Sequence, residues 1–212
     1  MKATFLTAIL FAFVSYASYS QTSFGLRAGV NFQNLNGKDV DGDKLDNKLK
    51  VGVNAGVTAD IPLIAPDYFV QTGLLFSTKG AKFEGGGDDN KVNLSYVEVP
   101  ITFLYKPALG QSRLLLGVGP YIGFAVGGKA GDTDISFEKE ITLAQATSGT
   151  PYFKRFDAGG NLLFGMQFTE KLSAQLNAQL GLVNINPKIE GGLEGDATVK
   201  NTGFGISLGY HF

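Results

Sequence analysis

No cysteine occurs in this chain, and histidine occurs once, at position 211. The first absence excludes a disulfide framework and a lipid-modified N-terminal cysteine. No helical period of useful length appears, no Pro/Ser-rich hinge, and no change of composition that would mark a second domain. Charge of one sign is also missing: 18 Lys and Arg stand against 19 Asp and Glu, a net of -1. That balance supplies no basic surface and argues against nucleic acid as a partner. Nor is there an apolar run of the roughly 20 residues that a transmembrane helix needs. The longest candidate, Phe5 to Val14, is broken by Thr7.

That short run has its own meaning. Met1 and Lys2 form a basic start before it, and Ser18-Tyr19-Ser20 places small residues ahead of Gln21. The pattern predicts a secretory signal peptide over 1–20, cut after Ser20, and one mature domain over 21–212.

What the mature chain does contain is a period of two. Thr202, Phe204, Ile206, Leu208, Tyr210 and Phe212 share one strand face, and Asn201, Gly203, Gly205, Ser207, Gly209 and His211 share the other. The same alternation predicts strands over 24–33, 51–61, 68–78, 92–105, 113–126, 153–168 and 172–184. Connections 34–50, 79–91, 127–152 and 185–200 are long and rich in Gly, Asp, Glu and Lys, whereas 62–67, 106–112 and 169–171 are short. Long and short take strict turns, so all long loops leave one end. An even set of antiparallel strands with that asymmetry is expected of an eight-stranded up-and-down transmembrane β-barrel, an all-β fold of the bacterial outer membrane.

A soluble lipocalin-like carrier has similar strands with its apolar face inward. Its exterior would be about a quarter to a third charged, yet the polar face here is mostly Gly, Ser, Asn, Gln and Thr. Small neutral side chains suit a narrow lumen. Phe24, Phe32, Tyr68, Phe76, Tyr105, Phe168, Tyr210 and Phe212 are expected as aromatic girdles near strand ends. Unpaired backbone groups in hydrocarbon are costly, so the eighth strand must close against the first. Pro100 and Pro120 each remove a ladder donor and are expected to mark register shifts.

Phe24-Gly25-Leu26-Arg27-Ala28-Gly29-Val30-Asn31, Tyr96-Val97-Glu98-Val99-Pro100-Ile101, Gly117-Val118-Gly119-Pro120-Tyr121 and Phe156-Asp157-Ala158-Gly159 resemble the PorT-like outer-membrane β-barrel family of Gram-negative bacteria. The resemblance implies a signal-bearing eight-stranded barrel with its loops outside the cell, and no agreed activity. It also makes the terminal Phe212 similar to the signal read by the barrel-insertion machinery.

Arg27, Glu98 and Asp157 fall on the polar face, with Arg155 inward near the loop end. They are expected to form a lumenal charge network, because Arg on the lipid face near the midplane costs about 2–4 kcal/mol and buried charges must pair or hold water. A proton or ion path is the alternative. His211 reads as a structural lumenal residue, since no nucleophile is placed beside it by spacing. Asp39-Val40-Asp41-Gly42-Asp43 departs from the EF-hand pattern, with Gly at its fourth position and Lys50 at its twelfth. Gly85-Gly86-Gly87-Asp88-Asp89 lacks the Lys and Ser/Thr of a phosphate loop. No catalytic, cofactor or metal site is expected.

The expected function is therefore a non-enzymatic outer-membrane barrel that is not a wide pore, with a structural or surface-binding role in its long extracellular loops. Its partners are outer-membrane lipid, the barrel-insertion machinery and an extracellular ligand or protein at the loops, above all at 127–152. There, Ile135-Ser136-Phe137 and Ile141-Thr142-Leu143 are expected to extend the wall as a hairpin. The soluble periplasmic carrier and a barrel enzyme acting on lipid or peptide are the competing readings.

Overall fold

A computed structural model describes residues 22–39, 42–83, 91–191 and 197–212. The expected signal peptide and the glycine-rich tip 85–89 lie outside the described residues. Eight long strands form the wall: β1 (Ser23–Lys38), β2 (Lys50–Pro62), β3 (Tyr68–Phe83), β4 (Lys91–Tyr105), β5 (Ser112–Ala130), β6 (Phe156–Gln167), β7 (Leu172–Gly181) and β8 (Thr198–His211). Each pairs antiparallel with the next in the chain. The last returns to the first, from Gly25 opposite His211 to Lys38 opposite Thr198. The sheet is closed, so its wall has no free edge.

Alternation decides which side chains look where. On β7, Leu176 and Leu180 are 49% and 58% exposed, while Gln175, next to Leu176 in the chain, is 5%. On β8, Phe204, Ile206 and Leu208 face out and Ser207 is buried. An exterior of Leu, Ile, Val and Phe around an interior of Asn, Gln, Ser and charge is the reverse of a water-soluble carrier, and a bilayer is the solvent that covers it. The lipocalin-like alternative fails here, because the aliphatic faces it needs around a ligand point outward.

Glycine makes the narrow interior possible. A Cβ on Gly29 would stand 2.2 Å from the Ile206 carbonyl oxygen and 2.5 Å from Ser207 Oγ. Apolar side chains fill both ends of the lumen. Leu35, Ala81, Val92, Leu94, Tyr96 and Ala125 cluster with Ile135 and Ile185 at the long-loop end. Leu104, Leu115 and Leu163 pack with Phe69 at the short-turn end. Leu104 therefore belongs on the inner face.

Several expectations are corrected. β3 runs on to Phe83 instead of stopping at position 78, and Phe76 sits mid-strand opposite Val97, away from either girdle. Neither proline shifts the register. The β3–β4 ladder passes from Thr72 opposite Ile101 to Leu75 opposite Glu98 with its pairing unchanged, and β6 pairs in constant register past Pro120. The β4–β5 shift lies at Ser95/Tyr96. A proline imposes a missing donor, and here the ladder absorbs that loss without an extra residue. Finally, segments 135–137 and 141–143 do not pair with each other: Ser136–Phe137 runs parallel to Tyr152–Phe153, and Glu140–Ile141 parallel to Lys188–Ile189. Between them a one-turn helix, Leu143–Ala146, is capped by Thr142 and Gln145.

Candidate functional site

The lumen is a stack of layers, and its centre is ionic. Lys79 on β3 places Nζ 2.5 Å from Glu98 Oε1 on β4 and 3.1 Å from Asp157 Oδ2 on β6. Three buried charges would be prohibitive alone; a cation between two carboxylates satisfies them together. Aromatic and amide groups complete the layer. Tyr121 OH and Asn201 Nδ2 donate to Asp157 Oδ2 at 3.2 and 2.9 Å, and Asn201 Nδ2 also reaches Tyr96 OH at 3.3 Å. The ammonium lies 4.3 Å from the Tyr121 ring centre and 5.4 Å from that of Tyr96, adding cation–π attraction.

Of the four charges singled out by sequence, the geometry joins Glu98 and Asp157 through Lys79. Arg27 faces inward within electrostatic reach of Glu98 and Asp60. Arg155 stands apart. It precedes the first residue of β6, is exposed, donates to the Ala125 carbonyl oxygen at 3.0 Å and stacks 4.7 Å over the Phe137 ring. Alternation does not govern a residue outside the strand, which is why its expected inward position fails.

Below the ionic layer, amides and hydroxyls link four consecutive strands, β8, β1, β2 and β3. Asn31 donates to Ser77 Oγ at 3.1 Å, Asn54 donates to Asn31 Oδ1, and Ser207 donates to Asn54 Oδ1 at 3.2 Å. Arg27, Gln33, Glu98 and Asn177 line a cavity of about 20 Å³ beside this chain, room for about one water. Arg27 Nε, Gln33 Oε1 and Asn177 Oδ1 are buried there without a protein partner, so water is the natural occupant.

A second ionic group closes the short-turn end. Lys106 pairs with Asp60 Oδ2, Gln71 donates to Asp60 Oδ1 at 2.8 Å, and Lys106 Nζ lies 4.7 Å over the Phe69 ring. His211 Nε2 is 3.2 Å from Ser173 Oγ, and its Nδ1 is 4.0 Å from Asp60 Oδ2. Ser173, His211 and Asp60 thus stand in the order of a hydrolytic triad. The last separation exceeds a hydrogen bond, and Asp60 is already engaged by Lys106 and Gln71. The arrangement ties three strands together at the mouth rather than aligning an imidazole for proton transfer.

Sequence reasoning missed Lys79 and Lys106. Continuing the alternation of Gln71, Leu75 and Ser77 by two residues would have turned Lys79 inward. Lys106 lies one residue past the end of β4, and the same step of two from buried Thr102 and Leu104 leads to it. In the first long loop, Asp39 Oδ1 accepts from the Asp43 backbone N–H at 2.9 Å, a local turn that occupies the carboxylate.

Comparison with known proteins follows the same outline. The family model described as "Outer membrane protein beta-barrel domain" matches residues 17–186. Among solved structures, the chain is similar to Ail, the attachment invasion locus protein of Yersinia pestis, crystallised with the heparin analogue sucrose octasulfate: 16% identity, 90% of this chain and 99% of that one, TM-score 0.41. It is similar also to the N-terminal β-barrel domain of Pseudomonas aeruginosa OprF, at 16% identity over 91% and 99% of the two chains with a TM-score of 0.38. For OprG of the same organism the figures are 15%, 91%, 97% and 0.43. No curated protein matches the chain.

Proposed function

The chain belongs to the outer membrane protein β-barrel domain family, and on that premise we propose a non-enzymatic outer-membrane protein whose closed barrel is a pedestal for its long loops. The observation that carries this reading is the filled lumen. An apolar lid, the Lys79–Glu98–Asp157 layer and the Asp60–Lys106 pair occupy successive levels of it, and the cavity beside Arg27 has room for about one water. A wall this narrow supports no diffusion pore. With the long loops outside the cell, binding falls to the surface made by 131–155 and 182–191, where the short parallel pairs and the capped helical turn give the backbone a defined shape. Within the family, the PorT-like segments around Arg27, Glu98 and Asp157 support the narrower assignment. Residues 1–20 act as the secretory signal, 21–212 as the barrel domain, and Phe212 as the residue read during insertion.

Deleting all of 127–152 would not test this, because Ile135 and Ile141 are buried. The informative exchange replaces 142–149 with Gly and Ser in the full chain. A folded, heat-modifiable barrel that no longer binds cells or matrix is the expected result. Undiminished binding would overturn the surface role.

A further inference from the structure

The three short turns are built from different chemistry. In the turn 169–171, Thr169 Oγ1 accepts from the backbone N–H groups of Lys171 and Leu172 at 3.2 and 3.0 Å, and Gln167 Nε2 donates to the Glu170 carbonyl oxygen at 3.0 Å. Glu170 and Lys171 are exposed, and water suits such a turn. The turns 62–67 and 106–112 instead carry Pro62, Pro66 and Pro107, three of the chain's seven prolines. A proline has no N–H for hydrocarbon to leave unsatisfied. Their tips present Leu63, Ile64 and Leu109, of which Ile64 is fully exposed and Leu109 57% exposed.

Single exposed apolar residues are ordinary, but these three are held as a group. Lys106 donates its backbone N–H to the Asp67 carbonyl oxygen at 2.7 Å, and Arg113 Nη1 lies 3.5 Å from Asp67 Oδ1. The two turns are therefore one unit, and that unit continues the apolar wall. Leu63 donates its N–H to the Tyr68 carbonyl oxygen at 2.8 Å, and the Tyr68 ring stacks on that of Tyr105 with centres 4.7 Å apart.

The other end of the wall shows the same asymmetry. β3 and β7 stand four strands apart in a ring of eight, on opposite sides of the barrel. The outer face of β3 is apolar up to Phe76 and then turns to Thr78, while the turn before the strand carries Ile64. On β7 the outer face stays apolar to Leu180, and on to Leu182 just past its end, while the turn before it carries Glu170 and Lys171. One apolar stretch is displaced toward the turns and the other toward the loops.

We propose that the turns 62–67 and 106–112 are embedded in the lipid leaflet nearer the short turns, the barrel standing oblique with its β3 side sunk and its β7 side raised. Interfacial anchors set the tilt of a membrane-spanning element, and here Leu63, Ile64, Leu109 and the Tyr68–Tyr105 stack are those anchors. The occupant of the exposed tips is lipid because they run on from a wall that the bilayer already covers. The proposal rests on that bilayer and is independent of what the long loops bind.

The chain has no tryptophan, so a single introduced indole reports its own surroundings. The experiment compares Ile64→Trp, Leu109→Trp, Glu170→Trp and the mid-wall Leu176→Trp in the full chain, refolded in phosphatidylcholine vesicles with and without acyl-brominated lipid. Acrylamide on both sides of the membrane supplies the aqueous quencher. Ile64→Trp and Leu109→Trp are expected to emit blue-shifted, to lose most of their fluorescence to brominated lipid as Leu176→Trp does, and to be shielded from acrylamide. Glu170→Trp, which controls for the pull of the indole itself, should be quenched by acrylamide and little affected by bromine. Acrylamide-accessible indoles at 64 and 109 beside a lipid-quenched Leu176→Trp would overturn the proposal and assign the tips to a protein partner. Equal lipid quenching at 64 and 170 would overturn it too, since the barrel would then stand upright. An unquenched Leu176→Trp would reject the bilayer around the wall, and the proposal with it.

Discussion

Lys79 and Asp157 lie 78 residues apart in sequence and 3.1 Å apart in the lumen. β3 and β6 are not neighbours in the wall, so this contact crosses the barrel interior and depends on the whole ring being closed. Lys79 is also the cation that Glu98 faces. Removing it strands two buried carboxylates, and Lys79→Met is expected to cost about 3–5 kcal/mol, the usual penalty for breaking a buried pair from one side. Denaturant unfolding in lipid vesicles measures it. Adding Glu98→Gln and Asp157→Asn to Lys79→Met should restore much of the loss, because the desolvated charges are then gone; no recovery would show that the layer acts through packing alone.

Glycine positions give a paired prediction. Gly29→Ala drives a methyl to within 2.2 Å of the Ile206 carbonyl oxygen at the β1–β8 seam, and a loss of about 1–3 kcal/mol is expected, as for other overpacked sites. Gly160 has no atom within 4 Å of a built Cβ. Gly160→Ala should refold like the parent chain.

The filled lumen predicts electrical behaviour. In planar bilayers the parent protein is expected to give no stable stepwise conductance of the kind an open pore gives. Trimming the lid with Val92→Gly and Leu94→Gly should leave it closed too, because the Lys79 layer lies beneath. Steps from the parent chain would reject the pedestal reading.

Phe212 is 74% exposed, packs edge-on to Tyr210 with ring centres 5.7 Å apart, and donates its backbone N–H to the Phe24 carbonyl oxygen at 2.9 Å. Phe212→Ala keeps that hydrogen bond. It is therefore expected to leave the stability of the refolded barrel nearly unchanged while lowering the amount inserted in the outer membrane of cells, compared by fractionation at equal synthesis.

Much of this architecture is legible in the chain because a strand's two faces meet different solvents. Leu176 and Gln175 are adjacent, yet one looks at hydrocarbon and the other into the lumen, so their alternation carries the fold. The ionic layer is harder to read. Lys79-Gly80 looks like the start of a loop, and only the continuation of β3 to Phe83 turns Lys79 inward. Arg155 errs in the opposite sense: counting back from Asp157 assigns it to the lumen, but the strand begins at Phe156 and leaves it outside. Which charges meet across the barrel depends on strand tilt and stagger, quantities that a period of two does not contain.

The pairing of β1 with β8 sets an order of events. Every other pairing joins strands consecutive in the chain, but β1 has no second partner until β8 has been made, 160 residues after Lys38 in the case of its bond to Thr198. Until that moment a growing chain presents sheet edges and an apolar face with neither bilayer nor partner to receive them. Folding is thereby deferred past translation, and the cell has to carry this protein to its membrane as an unfolded passenger.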